Sequence, residues 1–448
     1  MRIKKLKFEF KEDNFDYITH NKPQYMNYNS SNYLTGGNPK SNKSDAKSSK
    51  NISKPQESDS LEKWIEYVNN INDDELDFQK ECKNYKYIPP SLPPVRRIIV
   101  LGDIHGDYDL MRRSLRISRV IDKQGNWIAE PKNTVVVQVG DQIDRCRPYI
   151  HRCEHKNATY KDEASDIKIM NFMTKLREKA KKYGGEVINL LGNHEIMNSQ
   201  GNMTYVSYKG LEEFKDYVDP KNPQKKFKNG AEARIHAFKP GNQYGKYMAC
   251  TRISSVIIGS WLFVHAAILP ALMHKFKMSK CDNIRKVNTL IRKWLLGQIN
   301  INSVRTLLNS DKLSPFWPRV LGNIPPNKNS KYDDCQKYVE PVLKTLQVGK
   351  IIVGHTPQYY IHHHGINFTC SGKLGRADIG SSKAFHPFDV MSEDLQKEKQ
   401  KLSKKPIKAP DRGHTSSHRI IQVLEILNDT KCRVIEYKNG KITIKKYS

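Results

Sequence analysis

The chain has 448 residues and a formal net charge of +29, because 76 Lys and Arg residues outnumber 47 Asp and Glu residues. No apolar run reaches the roughly 20 residues of a membrane-spanning helix, and the first segment, MRIKKLKFEFKEDNF, lacks the apolar stretch of a signal peptide. The eight cysteines are scattered, without the regular spacing of a disulfide scaffold, which favours a reducing compartment. We therefore expect a soluble, intracellular protein that has no membrane partner.

The positive charge is compatible with an acidic partner, such as a phosphorylated protein, a nucleic acid or an anionic surface. The sequence shows no arginine-rich stripe interleaved with aromatic residues, which is the pattern of many nucleic-acid sites. A nucleic-acid partner is therefore not favoured, and we prefer the interpretation that a Lys-rich and Asn-rich composition spreads its charge over solvated faces. Parasites and large viruses often have this composition, so the expected locations are a cell's cytoplasm, an infected host's cytoplasm or a virion.

The N-terminal part of the chain divides into two predicted segments. Residues 1–60 are rich in Asn, Ser, Lys and Gly without an apolar period, which predicts a flexible polar tail. The stretch SLEKWIEYVNNINDDELDFQKE spaces its apolar residues as an amphipathic helix does, with Ser60 as its N-cap, and the prolines of IPPSLPP end it. Residues 61–94 are thus a helical segment with a Pro-rich linker, ahead of a main domain over residues 95–448.

The main domain begins with alternating strands and helices. RRIIVL, NTVVVQV and EVINLL are predicted strands, and YDLMRRSLRISRV and DIKIMNFMTKLREKAKKYGG are the helices between them. This β-α-β-α-β order predicts an α/β fold whose strand-end loops gather at one edge of a sheet. Later strands lie in RISSVIIGSWLFVHAA, divided at Gly259, and in VGKIIVGHTP. Residues 386–412 are a predicted mobile loop, and residues 417–448 are C-terminal strands with a hairpin turn at Asn439 and Gly440.

Five of these predicted strands end in residues of the types that bind metal ions. A single Asp or His after a strand is more often a helix cap or a satisfied core histidine, but five such strand ends at one sheet edge favour a site. Carboxylate, imidazole and amide ligands suit Mn, Fe or Zn, and two ions about 3.5 to 4 Å apart activate water for phosphoryl transfer. The residues are Asp103 and His105, Asp141, Asn193, His265 and His355.

The motifs GDIHGD, GDQIDR, GNHE, VH and GHT occur in this order and resemble the motif series of calcineurin-like metallophosphoesterases, in their phosphoprotein phosphatase branch. LLGNHEIMN, AFKPGNQYGKYMA, LFVHAAILP and RADIGSSKAF look most like the Shewanella-like phosphatases. The resemblance covers about residues 95–385. It implies a catalytic domain built as a β-sandwich of two mixed sheets flanked by helices, with a dinuclear metal site at the strand-end loops.

The resemblance also implies roles for individual residues. One metal site would comprise Asp103, His105 and Asp141, and Asp141 would bridge to a second site with Asn193, His265 and His355. Mn²⁺ is the expected ion in vitro, with Fe and Zn as alternatives. His194 would be the general acid and Asp144 would orient it, whereas Glu195 is expected to be a structural hydrogen-bond partner. Arg145 would bind phosphate, together with Arg319 and, behind it in preference, Arg234 and Arg376.

The chain departs from related patterns at three places. Pro357 stands where many metallophosphoesterases have a second histidine of a GHxH motif, so we expect water to complete the first metal site. Ala267 replaces a glycine, which would strain the loop if that position needs a positive φ. RCRPYIHRCEH contains Cys146, His151, Cys153 and His155, but without the usual zinc spacing we favour a basic insertion beside the cleft. The run His362 to His364 is expected at the surface.

The sequence therefore predicts a metal-dependent phosphomonoester hydrolase in which two metal ions activate a hydroxide and His194 donates the proton. Phosphoserine or phosphothreonine protein is the expected substrate, phosphotyrosine is not excluded, and small phosphoesters fit the same chemistry. One alternative is a hydrolase of dinucleoside polyphosphates or nucleotides. A basic nucleic-acid or scaffold-binding protein is the alternative that is not an enzyme.

Overall fold

The computed structural model of the protein describes residues 53–71, 74–402 and 413–447. Residues 1–52 of the predicted polar tail lie outside the described residues, as do residues 403–412 of the predicted loop. Lys54–Ser448 form one compact unit. The helical segment 61–94 is thus part of the same compact unit as the main domain.

Two six-stranded mixed sheets form the centre of the described part of the chain. One sheet has the order β1-β5-β6-β7-β9-β8 and the other has the order β12-β11-β10-β2-β3-β4. The strands are β1 Ser91–Leu92, β2 Arg97–Leu101, β3 Val135–Gln138, β4 Glu186–Asn189, β5 Ser255–Ile258, β6 Trp261–Val264, β7 Lys350–Val353, β8 Asn367–Thr369, β9 Leu374–Arg376, β10 Ile421–Leu427, β11 Lys431–Lys438 and β12 Lys441–Tyr447.

Helices cover the outer faces of both sheets. They are α1 Leu61–Asn69, α2 Asp74–Glu81, α3 Tyr108–Ile117, α4 Asp166–Lys181, α5 Asn193–Ser199, α6 Tyr208–Glu212, α7 Gly230–Phe238, α8 Gln243–Thr251, α9 Pro270–Lys275, α10 Ile284–Leu295, α11 Ile301–Asn309, α12 Val320–Asn323, α13 Glu340–Leu346, α14 Gln358–Ile361 and α15 His386–Leu402. None of the helices in the described ranges combines the length and apolarity that crossing a bilayer requires.

The alternation of side chains along each strand explains the layers. In β2, Ile98 and Val100 point into the core between the sheets, whereas Ile99 and Leu101 belong to the cluster formed with α3 and α4. Strands covered on both faces read as continuous apolar runs, which is the pattern of RIIVL and VVVQ. The two mixed sheets and flanking helices confirm the predicted fold class.

The parallel strands β2, β3 and β4 pair in that order, as the β-α-β-α-β prediction requires. In the other sheet, β6 and β7 are parallel neighbours, and β5 and β6 are separated at Gly259, whose φ is +56°. The predicted hairpin turn also occurs, with φ of +50° at Asn439 and +77° at Gly440. All these parallel strands therefore present their carboxyl ends near the junction of the two sheets.

The segment before β2 forms two helices rather than the single helix that its periodicity predicts. Ser60 is the N-cap of α1, and its hydroxyl accepts a hydrogen bond from Lys63 N at 3.4 Å, as expected. The indole of Trp64 is fully buried in the helical layer, and Arg292 pairs with Asp74 of α2 at 2.8 Å. These contacts hold the N-terminal segment against the body of the molecule.

Two sequence expectations are wrong. The predicted mobile loop is helical from His386 to Leu402, because Asp389 on its buried side pairs with Arg419 and accepts a hydrogen bond from Tyr360. The scattered cysteines were expected to be reduced, yet six of the eight form disulfides, whose partners are 168, 7 and 35 residues apart in the chain. The pairs are Cys82–Cys250, Cys146–Cys153 and Cys335–Cys370.

Candidate active site

The structure brings the predicted metal ligands of five strand ends together. Each lies within four residues of the end of its strand, and each is at most 5 % exposed. Because the parallel strands of both sheets end on the same side, their loops meet at one place. The residues are Asp103 and His105 after β2, Asp141 after β3, Asn193 after β4, His265 after β6 and His355 after β7.

Three of these side chains converge around His265. Its Nε2 lies 3.4 Å from the Oδ2 of Asp141, 3.0 Å from the Oδ1 of Asn193 and 3.2 Å from the Nδ1 of His355. The Nδ1–H of His265 donates to the backbone oxygen of Val139 at 2.8 Å, and the Nε2–H of His355 donates to that of Trp317 at 3.1 Å. When His265 is neutral, the atoms facing the centre are lone-pair acceptors, an arrangement that fits a bound cation.

A second group lies on the other side of Asp141. His105 Nε2 and His194 Nε2 are 3.8 Å and 3.9 Å from the Oδ2 of Asp141, so His105, Asp141 and His194 are close enough to hold an ion. Asp103 reaches His105 Nε2 only at 3.9 Å and lies outside this closest set. Its Oδ1 is buried without a hydrogen-bond partner, as is His105 Nδ1, so unsatisfied polar atoms surround this group as well.

The charges of these groups are strongly perturbed. Burial lowers the pKa of His105 and His355, and the neighbouring Arg147 and Arg319 lower the two values further, so both imidazoles are neutral and able to bind a cation. Burial also opposes the charge of His265, but the Asp141 carboxylate outweighs it and raises the pKa of His265. Burial raises the pKa of Asp141, yet the imidazoles of His265 and His194 hold it well below its usual range.

His194 and Asp144 form the proton-donating pair that the sequence predicts. The Nδ1 of His194 lies 2.8 Å from the Oδ2 of Asp144, and its Nε2 faces the Asp141 carboxylate. The other oxygen of Asp144 accepts a hydrogen bond from Asn198 Nδ2 at 2.9 Å. Both members of the pair are buried, so the imidazole is held in one orientation with Nε2 toward the metal ligands.

Glu195 is the structural partner that the sequence led us to expect. Its two oxygens accept the backbone N–H groups of Gly192, Asp141 and Gln142 at 2.7, 3.0 and 2.8 Å. These bonds join the loop after β4 to the loop after β3. A Cβ atom on Gly192 would overlap the Asp141 carboxylate, so the glycine of the GNHE motif is required by close approach and not only by a turn.

Several candidate residues adopt a left-handed backbone. His105, Asp141, Asp144 and His355 have φ values of 44°, 54°, 73° and 66°. Such conformations cost side-chain-bearing residues free energy and concentrate at functional sites. Ala267 has no positive φ, so the strain expected from its replacement of glycine does not arise.

The structure separates the predicted phosphate-binding arginines. Arg319 lies at the centre, where its Nη1 donates to the backbone oxygen of His355 at 2.6 Å and its charge interacts with Asp141. Arg145 points away: its guanidinium donates to the backbone oxygens of Gly106 and Lys161 and pairs with Glu163 at 2.7 Å. Its predicted role in phosphate binding is therefore not favoured by its position.

Arg147, two residues later, is the cation that sequence reasoning missed. Its Nη2 lies 2.8 Å from His105 Nε2, and its guanidinium stacks on the rings of Tyr205 and Phe385, with 5.3 and 4.7 Å to their centres. It is 7 % exposed, so it contributes a buried positive charge beside the candidate ligands. The two arginines of the sequence RCR gave the only available signal, and they do not indicate which one faces inward.

The insertion that contains Arg147 is closed by a disulfide. Cys146 and Cys153 are bonded to each other, so neither thiolate can bind zinc, in agreement with the preference for a non-metal insertion. The disulfide encloses the residues RPYIHR, among which Ile150 is 79 % exposed. This loop therefore forms a rim of the site.

The remaining candidates are structural or peripheral. Arg234 pairs with Asp166 at 2.7 Å inside the core, and Arg376 donates to the backbone oxygen of Ile324 at 2.7 Å. Neither contacts the candidate metal ligands, so their positions do not favour a phosphate-binding role. His363 and His364 are exposed, as predicted, and His362 is half-buried.

The comparisons with known proteins agree with this geometry. Residues 96–359 match the model of the calcineurin-like phosphoesterase family. The chain belongs to that family. It is 38 % identical over 283 residues to an uncharacterized protein of Acanthamoeba polyphaga mimivirus, covering 60 % of this chain and all of the relative. It is 28 % identical to Shewanella-like protein phosphatase 2 of Arabidopsis thaliana, covering 64 % and 72 % of the two chains.

The family and these relatives make the protein a metallophosphatase that hydrolyses phosphoesters with divalent metal ions. The resemblance to Shewanella-like phosphatases is confirmed, since the phosphatase 1 of Plasmodium berghei also matches with 28 % identity over 64 % of this chain and 67 % of its own. A solved cold-active protein tyrosine phosphatase shares the fold, with a TM-score of 0.51, 18 % identity and coverage of 80 % of each chain.

Proposed function

We propose that this metallophosphatase is a protein phosphatase that removes phosphate from phosphorylated side chains. The observation that supports this most is the cluster of acceptor atoms around His265, which lies beside a buried His–Asp pair and two inward-facing arginines. Relatives named as protein phosphatases and a solved protein tyrosine phosphatase point to the same class of substrate. A scaffold protein has no need for such a set of buried polar groups.

Two divalent ions fit the residues present. Asp103, His105 and Asp141 would hold one ion, and Asp141 would share the second with Asn193, His265 and His355. When bound, such ions polarise phosphoryl oxygens and bring the pKa of water close to neutrality. Mn²⁺ suits this mixture of carboxylate, imidazole and amide ligands, and it is the ion that we would use in assays.

His194 would donate the proton to the leaving oxygen. Its Nδ1–H donates to Asp144, so the ring presents Nε2 toward the centre, where the leaving group departs. The alkoxide of serine or threonine is strongly basic, and a positioned acid contributes roughly 10² to 10⁴-fold to its departure. Asp144 keeps the imidazolium in place and compensates its charge, because the pair is shielded from solvent.

Arg147 and Arg319 would bind the non-reacting oxygens of the phosphate. Both are close to the candidate ligands and face the carboxylates of the centre. A guanidinium binds phosphate with two parallel hydrogen bonds, so the pair can orient the substrate as well as neutralise it. The net charge of +29 would attract acidic phosphoproteins over a longer range.

The proposal can be tested with the full-length protein. The protein would be treated with a chelator, restored with Mn²⁺ and assayed on peptides that carry phosphoserine, phosphothreonine or phosphotyrosine. We expect hydrolysis of at least one phosphopeptide, and its loss in Asp141→Asn, which removes the carboxylate shared by both groups. Asp389→Asn is the matched control, since Asp389 is a buried carboxylate whose partners are Arg419 and Tyr360.

Two outcomes would contradict the proposal. If Asp141→Asn were as active as the parent, the centre described above would not be the active site. If diadenosine polyphosphates or nucleotides were hydrolysed and phosphopeptides were not, the protein would be a nucleotide hydrolase. Steeply salt-dependent binding of nucleic acid without any phosphatase activity would instead indicate a binding protein.

A further inference from the structure

A buried carboxylate that none of the predicted roles includes lies beside Asp103, in the ligand group that contains His105. Asp378 follows β9 and is 1 % exposed. Its Oδ1 accepts a hydrogen bond from the backbone N–H of Gly380 at 2.8 Å, whereas its Oδ2 is buried without any hydrogen-bond partner. A buried, unpaired carboxylate oxygen is costly, so it requires a partner that the described protein atoms do not provide.

The position of Asp378 is fixed by the two sheets. Strand β9 pairs in parallel with β7, whose end carries His355, and Ala377 N donates to the backbone oxygen of Val353. Asp378 also lies against the end of β2, because a Cβ atom on Gly102 would come within 3.2 Å of its Cα. The strand therefore delivers Asp378 to the same junction that holds Asp103 and His355.

The electrostatic surroundings indicate the same centre. Among the charged neighbours that raise the pKa of Asp103, Asp378 has the largest effect, after burial itself. Asp378 in turn interacts with Asp141, His265 and Arg147. Asp103 and Asp378 thus each have one buried oxygen without a partner, and they repel each other. A cation between them would satisfy both oxygens and remove the repulsion.

The ligand group of Asp103 and His105 also lacks one ligand that many metallophosphoesterases supply from the loop after β7. Pro357 stands at the position where a second histidine of the GHxH type would lie, and proline offers no ligand atom. The next residue, Gln358, donates its backbone N–H to the backbone oxygen of Asp378 at 3.0 Å, so Asp378 lies next to that position. A carboxylate from β9 can replace the ligand that is missing from the loop after β7.

We propose that Asp378 is an additional ligand of the metal ion held by Asp103 and His105. The inference rests on the metal centre of the proposed function and extends it by one residue. It assigns the vacant position to a protein carboxylate instead of a water molecule. A hard oxygen ligand at this place would favour Mn²⁺ over softer ions in the first site.

Calorimetry of the chelator-treated full-length protein with Mn²⁺ tests the assignment. We expect Asp378→Asn, which keeps the acceptor for Gly380 N, to weaken one of two binding steps by about tenfold to a hundredfold. Without metal, Asp378→Asn should melt at the same temperature as the parent or higher, because the repulsion from Asp103 is gone. A purely structural role predicts the opposite, which is a lower melting temperature and unchanged Mn²⁺ binding, and this result would overturn the proposal.

A second variant detects direct contact. Asp378→Cys places a thiolate at the position, and Cd²⁺ bound to it should give an ultraviolet thiolate-to-cadmium charge-transfer band that the parent and Asp389→Cys lack. Absence of this band from folded Asp378→Cys would overturn direct ligation. Asp103→Asn distinguishes failure of the proposed metal centre from failure of the ligand role of Asp378. If Asp103→Asn loses one Mn²⁺ ion while Asp378→Asn binds two, the metal centre is supported and only the proposed role of Asp378 is wrong.

Discussion

The pair His194 and Asp144 gives the sharpest prediction, because a general acid matters only when the leaving group needs a proton. We would compare His194→Ala with the parent on a phosphoserine peptide and on p-nitrophenyl phosphate. The serine alkoxide is very basic, whereas p-nitrophenolate departs without protonation. The side chain of His194 is 6 % exposed and its Nε2 faces the centre, so bulk water cannot readily replace it as proton donor.

The expected magnitudes differ between the two substrates. Removal of a positioned acid costs roughly 10² to 10⁴-fold, or about 3 to 5 kcal/mol of transition-state stabilisation, for the phosphoserine peptide. For p-nitrophenyl phosphate we expect a decrease of kcat of about tenfold or less, from lost contacts alone. The ratio of the two rates should therefore fall in His194→Ala.

Asp144→Asn tests the orientation of the imidazole. Asn198 Nδ2 donates to Oδ1 of Asp144 at 2.9 Å, so an asparagine would keep its oxygen there and turn its amide nitrogen toward His194 Nδ1. His194 Nδ1 would then have to accept a hydrogen bond from the amide of the new asparagine. The imidazolium would also lose the carboxylate that stabilises it. We expect the phosphoserine rate to fall by about a hundredfold, near the lower end of general-acid effects.

The control is a second histidine–aspartate pair with the same separation between its nitrogen and oxygen atoms. His236 Nε2 lies 2.8 Å from the Oδ2 of Asp219, and His236 makes no contact with the candidate ligands in the described part of the chain. His236→Ala should leave the ratio of the two rates unchanged. If His194→Ala slowed both substrates by the same factor, His194 would act through metal binding or folding, and its assignment as the acid would be refuted.

Three further predictions concern groups around the centre. Arg147→Lys should raise KM for phosphopeptides by about tenfold to a hundredfold, whereas Arg145→Lys should mainly lower the melting temperature, because only Arg147 faces the site. Replacing Cys146 and Cys153 by Ser should also raise KM and leave the fold intact by circular dichroism, since their disulfide closes the loop that carries Arg147. Burial and the charge of Asp166 raise the pKa of Glu213 from 4.5 to about 7. Between pH 4.5 and about pH 7 the folded state therefore keeps a proton on Glu213 that the unfolded state loses, so the free energy of unfolding falls as pH rises through this range. Urea unfolding at pH 5 and at pH 8 measures this loss of stability. Glu213→Gln should reduce the loss by up to about 3 kcal/mol.

The sequence revealed the metal ligands because each one is attached to a local pattern. An apolar strand, a glycine and a polar residue occupy a few consecutive positions, as in Asp141 after VVVQVG or Asn193 after VINLLG. The topology of parallel strands then determines that these ends meet. Contacts of the same short range also made the N-cap at Ser60 and the role of Glu195 predictable.

The direction of a side chain after a turn cannot be predicted from such a local sequence pattern. Asp144 has φ of +73°, so the alternation of an extended strand does not continue into the residues after it. Arg145 consequently turns toward Gly106 and Glu163, and Arg147 reaches His105. A motif can predict that an arginine lies near the site, but the conformation of the folded loop determines which of the two arginines faces it.

The same limit explains why Asp378 was not among the predicted ligands. Strand β9 has three residues, Leu374–Arg376. A strand this short contains no apolar run or alternating pattern from which it could be predicted. Its carboxyl end nevertheless lies at the centre, because β9 pairs with β7 and not with its sequence neighbour alone. Every parallel strand that joins this edge brings the residue after it to the metal ligands, so the shortest strand of the set can supply a carboxylate as effectively as the longer ones.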